Sequence, residues 1–321
     1  MMNILLITNK TDITTDFIVK KLKEKNTPFY RLNTEDIGGS VQIDLNFEND
    51  QYLLFDSTDS ACIDLTKVTA VYFRRPEINN SFEDLSSGEQ SFIRSELLFT
   101  LEGLYKILHK AFWINDVYAI RNAENKIYQL LIAKELGFII PKSVITNIPK
   151  RAQKFDNSNK ETGCIIKPIK SGLVEGHDEQ GVIFTSKVVI NEATSERVVR
   201  CPVFLQNLVS KIGDVRVTVI GKKIFAALIH SQGIKDAEVD WRKSLDPLKH
   251  TIIELPDDVS KKCLALTKAL SLNFAAIDFI LNKENDFIFL EINPNGQWAW
   301  IEKRLNLRLS DELTELLVKN R

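Results

Sequence analysis

Two apolar runs near the C-terminus each carry a carboxylate at their centre, Ala276-Ile277-Asp278-Phe279-Ile280 and Phe289-Leu290-Glu291-Ile292-Asn293. The polar stretch Asn282-Lys283-Glu284-Asn285-Asp286 lies between them, so the pair reads as a β-hairpin. With Glu284-Asn285 as its loop, Lys283 faces Asp286, and five steps further out Asp278 faces Glu291. Both then point to one face of the sheet. Directly opposed like charges destabilise a sheet. Two carboxylates among apolar neighbours need a cation, a shared proton or salt-bridge partners. Asn293, two residues beyond Glu291, adds an amide oxygen on the same face. Three hard oxygens suit a magnesium ion that bridges nucleotide phosphates. On the residues alone, salt bridges to Lys or Arg and a proton-sharing acid/base pair stay open.

The chain has 321 residues, enough for two or three compact units. A formal charge of -1 gives no general pull toward nucleic acid or a membrane surface. Cys62, Cys164, Cys201 and Cys263 are widely spaced, which argues against a disulfide framework or a thiolate zinc site and fits a reducing cytoplasm. The apolar run at the N-terminus is too short for a signal peptide, and no stretch approaches the roughly 20 apolar residues of a membrane span.

The chain opens as β-α-β: an apolar run 3–8, an amphipathic stretch with Phe17, Ile18 and Leu22, and a second run 29–32. This suggests an α/β layer. It lacks Gly-x-Gly-x-x-Gly, so Rossmann-type nucleotide binding is not expected there. Residues 41–73 read as strands and end in Arg74-Arg75-Pro76-Glu77, either a solvated loop with salt bridges or an anion or peptide contact. Residues 82–110 read as a helix with a mostly buried stripe at Phe92, Leu97, Leu98, Leu101, Leu104 and Leu108. A helix is expected over 122–136, with Asn122 as N-cap and Gly137 at C′. A strand is expected to start at Phe138, a polar loop to cover 150–163, and strands to follow at 164–168, 182–190 and 197–200. Further on, a hairpin turns at Gly221-Lys222, and a helix covers 258–270.

Several residues along this path suit phosphate chemistry, each with a plainer reading beside it. Lys126 lies on a helix and Lys167 interrupts an apolar strand; either could be a surface lysine or could reach an anion. Glycines in 171–181 permit close backbone approach to phosphate, or simply form a mobile loop. Arg216 lies in Asp214-Val215-Arg216-Val217-Thr218 and Arg242 in Asp240-Trp241-Arg242. Arginines can stabilise a transferring phosphoryl group, or serve as an ion pair and a loop charge.

The running order of these pieces resembles the ATP-grasp superfamily from about Ile114 onward. The resemblance implies α/β architecture with α+β lobes clamping ATP behind an N-terminal pre-ATP-grasp domain. It implies domains at 1–112, 113–202 and 203–321. Lys126 and Lys167 match the phosphate lysines, residues 171–181 the loop over them, and Gln206, Asn207, Leu208 and Val209 the hinge that meets adenine. Asp214 matches the ribose contact, where Glu is commoner. Asp278, Glu291 and Asn293 match the magnesium ligands, and Arg216 and Arg242 positions near the γ-phosphate and acyl phosphate. Tyr72 to Glu77, Asp240-Trp241-Arg242 and Leu290 to Trp298 narrow the resemblance to graspetide ligases, which include the microviridin-type and grasp-with-spasm maturases. That implies a partner, a ribosomal precursor peptide with leader and core, within which Thr or Ser is joined to Asp or Glu as an ω-ester. A lid hairpin within 184–202 is expected to grip the leader, and a homodimer follows by analogy alone. An amide-forming ligase of free amino acids is the alternative, and a non-catalytic nucleotide-binding regulator is a third class, against which the retained carboxylates and arginines argue. No clear general base emerges; His230 is more readily a hydrogen-bonded residue at a strand end.

Overall fold

The structure is a computed structural model that describes residues 3–79, 82, 84–170, 172–175, 180–244 and 246–321. Compactness divides it into two units. One comprises the residues up to Ile120 with Leu272–Phe274 and Asn295–Arg321; the other comprises Arg121–Ser271 and Ala275–Pro294. Each unit gathers separate stretches of chain.

The first unit is built on β1 (Ile4–Thr8), α1 (Ile13–Glu24) and β2 (Phe29–Asn33), the expected β-α-β opening. A meander follows, β3 (Val41–Asn46), β4 (Gln51–Asp56) and β5 (Ala61–Asp64). Then come β6 (Ala70–Phe73), α2 (Ser87–Ile107), β7 (Phe112–Ile114) and α3 (Val117–Ala123). The main sheet is parallel, in the order β2-β1-β6-β7. Its β1 is buried at all five positions, which is why it reads as a continuous apolar run. The α2 stripe is only half core. Leu101, Leu104 and Leu108 are buried, but Phe92 is 66% and Leu98 45% exposed. Helical spacing locates a face; it does not say how far along the helix that face is covered.

In the second unit, α4 (Lys126–Glu135) is capped by Asn125, not Asn122; the Asn125 side chain accepts from the backbone N–H groups of Ile127 and Tyr128. Gly137 takes the expected left-handed conformation, φ 74°. The next strand, β8, runs Ser143–Thr146, while Ile139 makes only an isolated bridge to Ile288. The expected polar loop holds a helix, α5 (Pro149–Asn157), started by proline in the first turn, where a missing N–H costs nothing. After β9 (Cys164–Lys167) come β10 (Leu173–Glu175) and β11 (Gln180–Val182), which pair antiparallel; Ser171 and Gly176 to Glu179 of the glycine segment lie outside the described residues. The expected strands over 182–190 and 197–200 reduce to β12 (Ser186–Val188), then α6 (Glu192–Ser195) and a 3-10 turn, Glu196–Arg200. The stretch 184–202 is therefore not a hairpin.

The unit continues with β13 (Val203–Asn207), β14 (Lys211–Ile220), β15 (Lys223–Ile229), β16 (His250–Ile252), α7 (Asp257–Ala269), β17 (Phe274–Asn282) and β18 (Phe287–Asn293). Two larger sheets result beside the β10–β11 pair, β12-β9-β13-β8 and β16-β15-β14-β17-β18. The last helices, α8 (Ala299–Leu305) and α9 (Leu309–Lys319), belong to the first unit, where α9 lies against α1 and a Lys21–Asp311 ion pair of 3.0 Å links them.

Arg74 settles neither way it was read from sequence. It is 2% exposed, pairs with Asp12 at 3.2 Å, and donates from Nη1 to the carbonyls of Asn295 and Gly296 at 3.1 and 3.2 Å. The adjacent Trp298 is fully buried and donates its indole N–H to the Tyr72 hydroxyl at 3.2 Å. The two motifs thus hold one another within the first unit. No helix among the described residues is long and apolar enough to cross a membrane.

Candidate active site

The hairpin β17–β18 does oppose Asp278 to Glu291. The route differs from the simple count. The turn spans Asn282 to Asp286, with Asn285 at φ 64° and Leu281 facing Phe287, one step off the expected register. A bulge between Asp278 and Phe279 leaves Leu290 unpaired and restores the alignment. Bulges of this kind re-aim side chains beside functional sites. Asn293 pairs with Ala276 at the exposed end of β18.

Side chains on neighbouring elements meet this pair. Arg216 on β14 brings its Nε to 2.9 Å from Asp278 Oδ1. That contact is off the line of a hydrogen bond, and Nη1 finds no acceptor either among the described residues, so the guanidinium has unused donors there. Lys126 Nζ lies 3.1 Å from Glu291 Oε2 and donates to the Pro168 carbonyl at 3.0 Å. Arg242 Nη1 reaches Glu291 Oε1 at 3.5 Å. Its Nε and Nη2 grip Asp240 at 2.8 and 3.0 Å. Lys167 is 8% exposed.

The electrostatics split the two carboxylates. Burial lifts the Asp278 carboxyl well above its ordinary range; Arg216 resists and Glu291 adds to the rise. Burial would lift Glu291 too, but Lys167, Lys126 and Arg242 together outweigh it and hold it low. Burial pulls the Lys167 ammonium down, reinforced by Lys126 and Arg242 and opposed by Glu291. Four cations (Lys126, Lys167, Arg216, Arg242) face Asp240, Asp278 and Glu291, a balance suited to an anionic ligand.

Lys167, Gln206, Asp214, Arg242, Asp278 and Glu291 line one cavity. Lys126, Lys167, Arg242, Glu291 and Asn293 line a second of about 450 Å³. Leu208 and Val209 open on another cleft beside Lys211. Gln206 Oε1 and Asn207 Oδ1 are buried acceptors with no hydrogen bond among the described residues. Asp214 is already engaged: Lys211 Nζ donates to it at 2.9 and 2.7 Å and the Ser231 hydroxyl at 2.5 Å. His230 bonds the Thr251 hydroxyl at 3.0 Å.

Three supporting groups escaped the sequence reading. Gln129 donates to the Ile292 carbonyl at 2.8 Å and accepts from the Ile292 N–H at 3.1 Å. It thereby pins β18 between Glu291 and Asn293. Its sequence signal was a glutamine three residues beyond Lys126 on a buried helix face. Asp240, 4% exposed, braces Arg242; the Asp-x-Arg spacing was visible but its geometry was not. Lys211, three residues before Asp214, gave no signal of its own.

The donor set fits magnesium. Among the described residues no cluster of three His, Cys, Asp or Glu could hold a metal alone. Two carboxylates and an amide leave coordination for water and phosphate oxygens, as magnesium sites commonly do.

Residues 3–121 match the MvdD pre-ATP grasp domain and residues 123–317 the RimK-like ATP-grasp domain. The macrocyclase MdnC of Microcystis aeruginosa MRC, solved with the precursor peptide MdnA, superposes with a TM-score of 0.86 at 25% identity, covering 99% of this chain and 100% of that one. A Chryseobacterium gregarium RiPP-associated ATP-grasp ligase, solved with ADP and a leader and core peptide, gives 0.90 at 26%, over 100% and 98%. A probable alpha-L-glutamate ligase of Vibrio atlanticus (strain LGP32) is 24% identical over 214 residues, 65% of this chain and 68% of that protein. The chain belongs to the RimK-like ATP-grasp family, as a ligase that works with ATP and magnesium.

Proposed function

We propose that the chain joins side chains within a ribosomally made precursor peptide, turning a Thr or Ser hydroxyl and an Asp or Glu carboxylate into an ω-ester. The observation that carries this reading is coverage. The likeness to peptide macrocyclases runs over 99–100% of the chain, including a first unit matched by the pre-ATP-grasp domain, against 65% for the glutamate ligase.

In this reading Lys126 and Lys167 hold the phosphates, Gln206 to Val209 meet adenine, and Asp214, steadied by Lys211 and Ser231, offers its remaining acceptor to ribose. Asp278, Glu291 and Asn293 hold magnesium, which when bound neutralises phosphate charge. Arg216 and Arg242 face the transferring phosphoryl group, Arg242 with its guanidinium braced by Asp240. The substrate carboxylate attacks the γ-phosphate, and the resulting acyl phosphate is displaced by the peptide's own hydroxyl. Positioning and charge stabilisation are what these residues supply. A cytoplasmic location and a homodimer belong to the same proposal.

The glutamate-ligase relatives favour a second reading, amide formation with free amino acids. One incubation separates the two. With Mg-ATP and the short peptide encoded beside the gene, macrocyclisation removes one water per link from the peptide mass. An unchanged peptide, with phosphate released only on adding free glutamate, selects the second reading.

A further inference from the structure

The cavity of about 450 Å³ holds one carboxylate that the preceding assignment does not use, Glu124. It precedes Asn125, whose side chain fixes the start of α4 by accepting from Ile127 and Tyr128. The same helix carries Lys126, bound to Glu291, and Gln129, bound to Ile292. Glu124 therefore sits in the turn just before a helix that is tied at two points to the candidate metal strand. It makes no hydrogen bond or ion pair with any described residue. The other ionisable groups lining this cavity are Lys126, Lys167, Lys170, Arg242 and Glu291. The first four are cations, and Glu291 is held by two of them.

We infer that Glu124 takes the proton of the acceptor hydroxyl as that hydroxyl attacks the activated carboxylate. This rests on the peptide-ligase reading. The hydroxyl oxygen forms the new bond to the acyl carbon. The bond from that carbon to the phosphate oxygen breaks, phosphate leaves with the electron pair, and the proton passes to Glu124. Glu124 is solvent-accessible at the cavity rim, and partial desolvation there lifts its carboxyl above its usual range against Lys170 and Arg121, in the direction that strengthens a proton acceptor.

The test uses the full-length enzyme, the peptide encoded beside the gene, Mg-ATP, and hydroxylamine to trap acyl phosphate as hydroxamate. In Glu124→Gln, hydroxamate forms within about twofold of the unsubstituted rate, while ester formation falls about 10²-fold or more, the usual worth of a positioned base. Unchanged ester formation overturns the role. Equal losses of hydroxamate and ester overturn it also, since a base for the second step leaves the first intact. An unsubstituted enzyme that yields hydroxamate and no peptide link overturns the peptide reading, and this role with it.

Discussion

Each unit buries an arginine against an aspartate, and the two pairs are finished differently. In the first unit Asp12 receives Arg74, the hydroxyls of Thr8 and Thr15 at 3.0 and 2.6 Å, and the Thr14 N–H at 3.1 Å. Arg74 adds two backbone carbonyls, leaving only Nη2 without an acceptor. Burial pushes the Asp12 carboxyl up, but Arg74 and the two hydroxyls outweigh it and hold it below its usual range. In the second unit Arg216 meets Asp278 off-line and keeps two nitrogens without hydrogen bonds, and Asp278 rises instead. A buried charge pair with its hydrogen bonds made holds structure. One left short has capacity for a ligand, and its incompleteness carries a standing cost.

The largest effect expected from this contrast is on turnover. Glu291→Gln removes a full charge from the metal set without changing its shape. Several kcal/mol of transition-state stabilisation should go with it, about 10³-fold or more in kcat. ADP release and peptide mass both read this out. Activity within tenfold of the unsubstituted chain would show that Glu291 holds no metal.

Next in size is the fold itself. Asp12→Ala strands Arg74 without its counter-ion, at about 3–5 kcal/mol of stability by denaturant titration. A paired change, Asp12→Leu with Arg74→Met, should recover most of that loss, because two apolar groups have no unmet charge. If the pair is no better than the single change, the carbonyls of Asn295 and Gly296 are what Arg74 chiefly serves.

These contrasts also mark where the sequence was readable. The β-α-β opening and both C-terminal hairpins followed from apolar period and turn residues, which are local. Asp278 facing Glu291 was reached by a count in which two departures cancel, a longer turn and a bulge at Leu290. Neither leaves a trace in residue type. Asn122 and Asn125 are equally good caps by composition; the break between α3 and α4 decides for Asn125. The helix at 149–157 is too polar for periodicity to detect, and its initiating proline was the available cue. Arg74 read as either a loop charge or an anion or peptide contact because its partners lie at position 12 and positions 295–296, distances along the chain that no local pattern spans. The lysines and Arg242 were placed by their order along the chain, whereas Asp240 and Gln129, which orient the site, are defined by contacts alone.

A smaller stability effect is expected at Arg216. Arg216→Met also strands a buried aspartate, but Asp278 already binds a proton more readily than usual. Neutralising it costs about 1.4 kcal/mol for each unit between its pKa and the working pH. The loss should therefore be well below that at Asp12. Stabilisation by Mg-ADP, read as a shift in Tm, should fall along with it if, as proposed, the same guanidinium serves the phosphates. A loss equal to that of Asp12→Ala would mean the two pairs do the same work.

The last and smallest effect is in pH, where the pairs should move in opposite directions. Asp12 has a lowered pKa, so its contribution is complete above the unfolded carboxylate value and is lost as pH falls through the folded one. Asp278 has a raised pKa, so the ligand-free fold favours its protonated form, and that stabilisation is lost as pH rises through the folded value. If Asp278 holds magnesium, as proposed, the metal requires its deprotonated form, so proton and metal compete at this residue. Between about pH 7 and about pH 5, Mg-ADP affinity should weaken, approaching about tenfold per unit once Asp278 is mostly protonated. Over that interval Asp12 stays ionised, and the stability of the ligand-free chain should not fall on its account. Calorimetric titration of Mg-ADP at three pH values, with the ligand-free Tm recorded alongside, separates the two. Affinity that holds flat while the ligand-free Tm drops would reverse the assignment, making Asp278 the finished pair and Asp12 the open one.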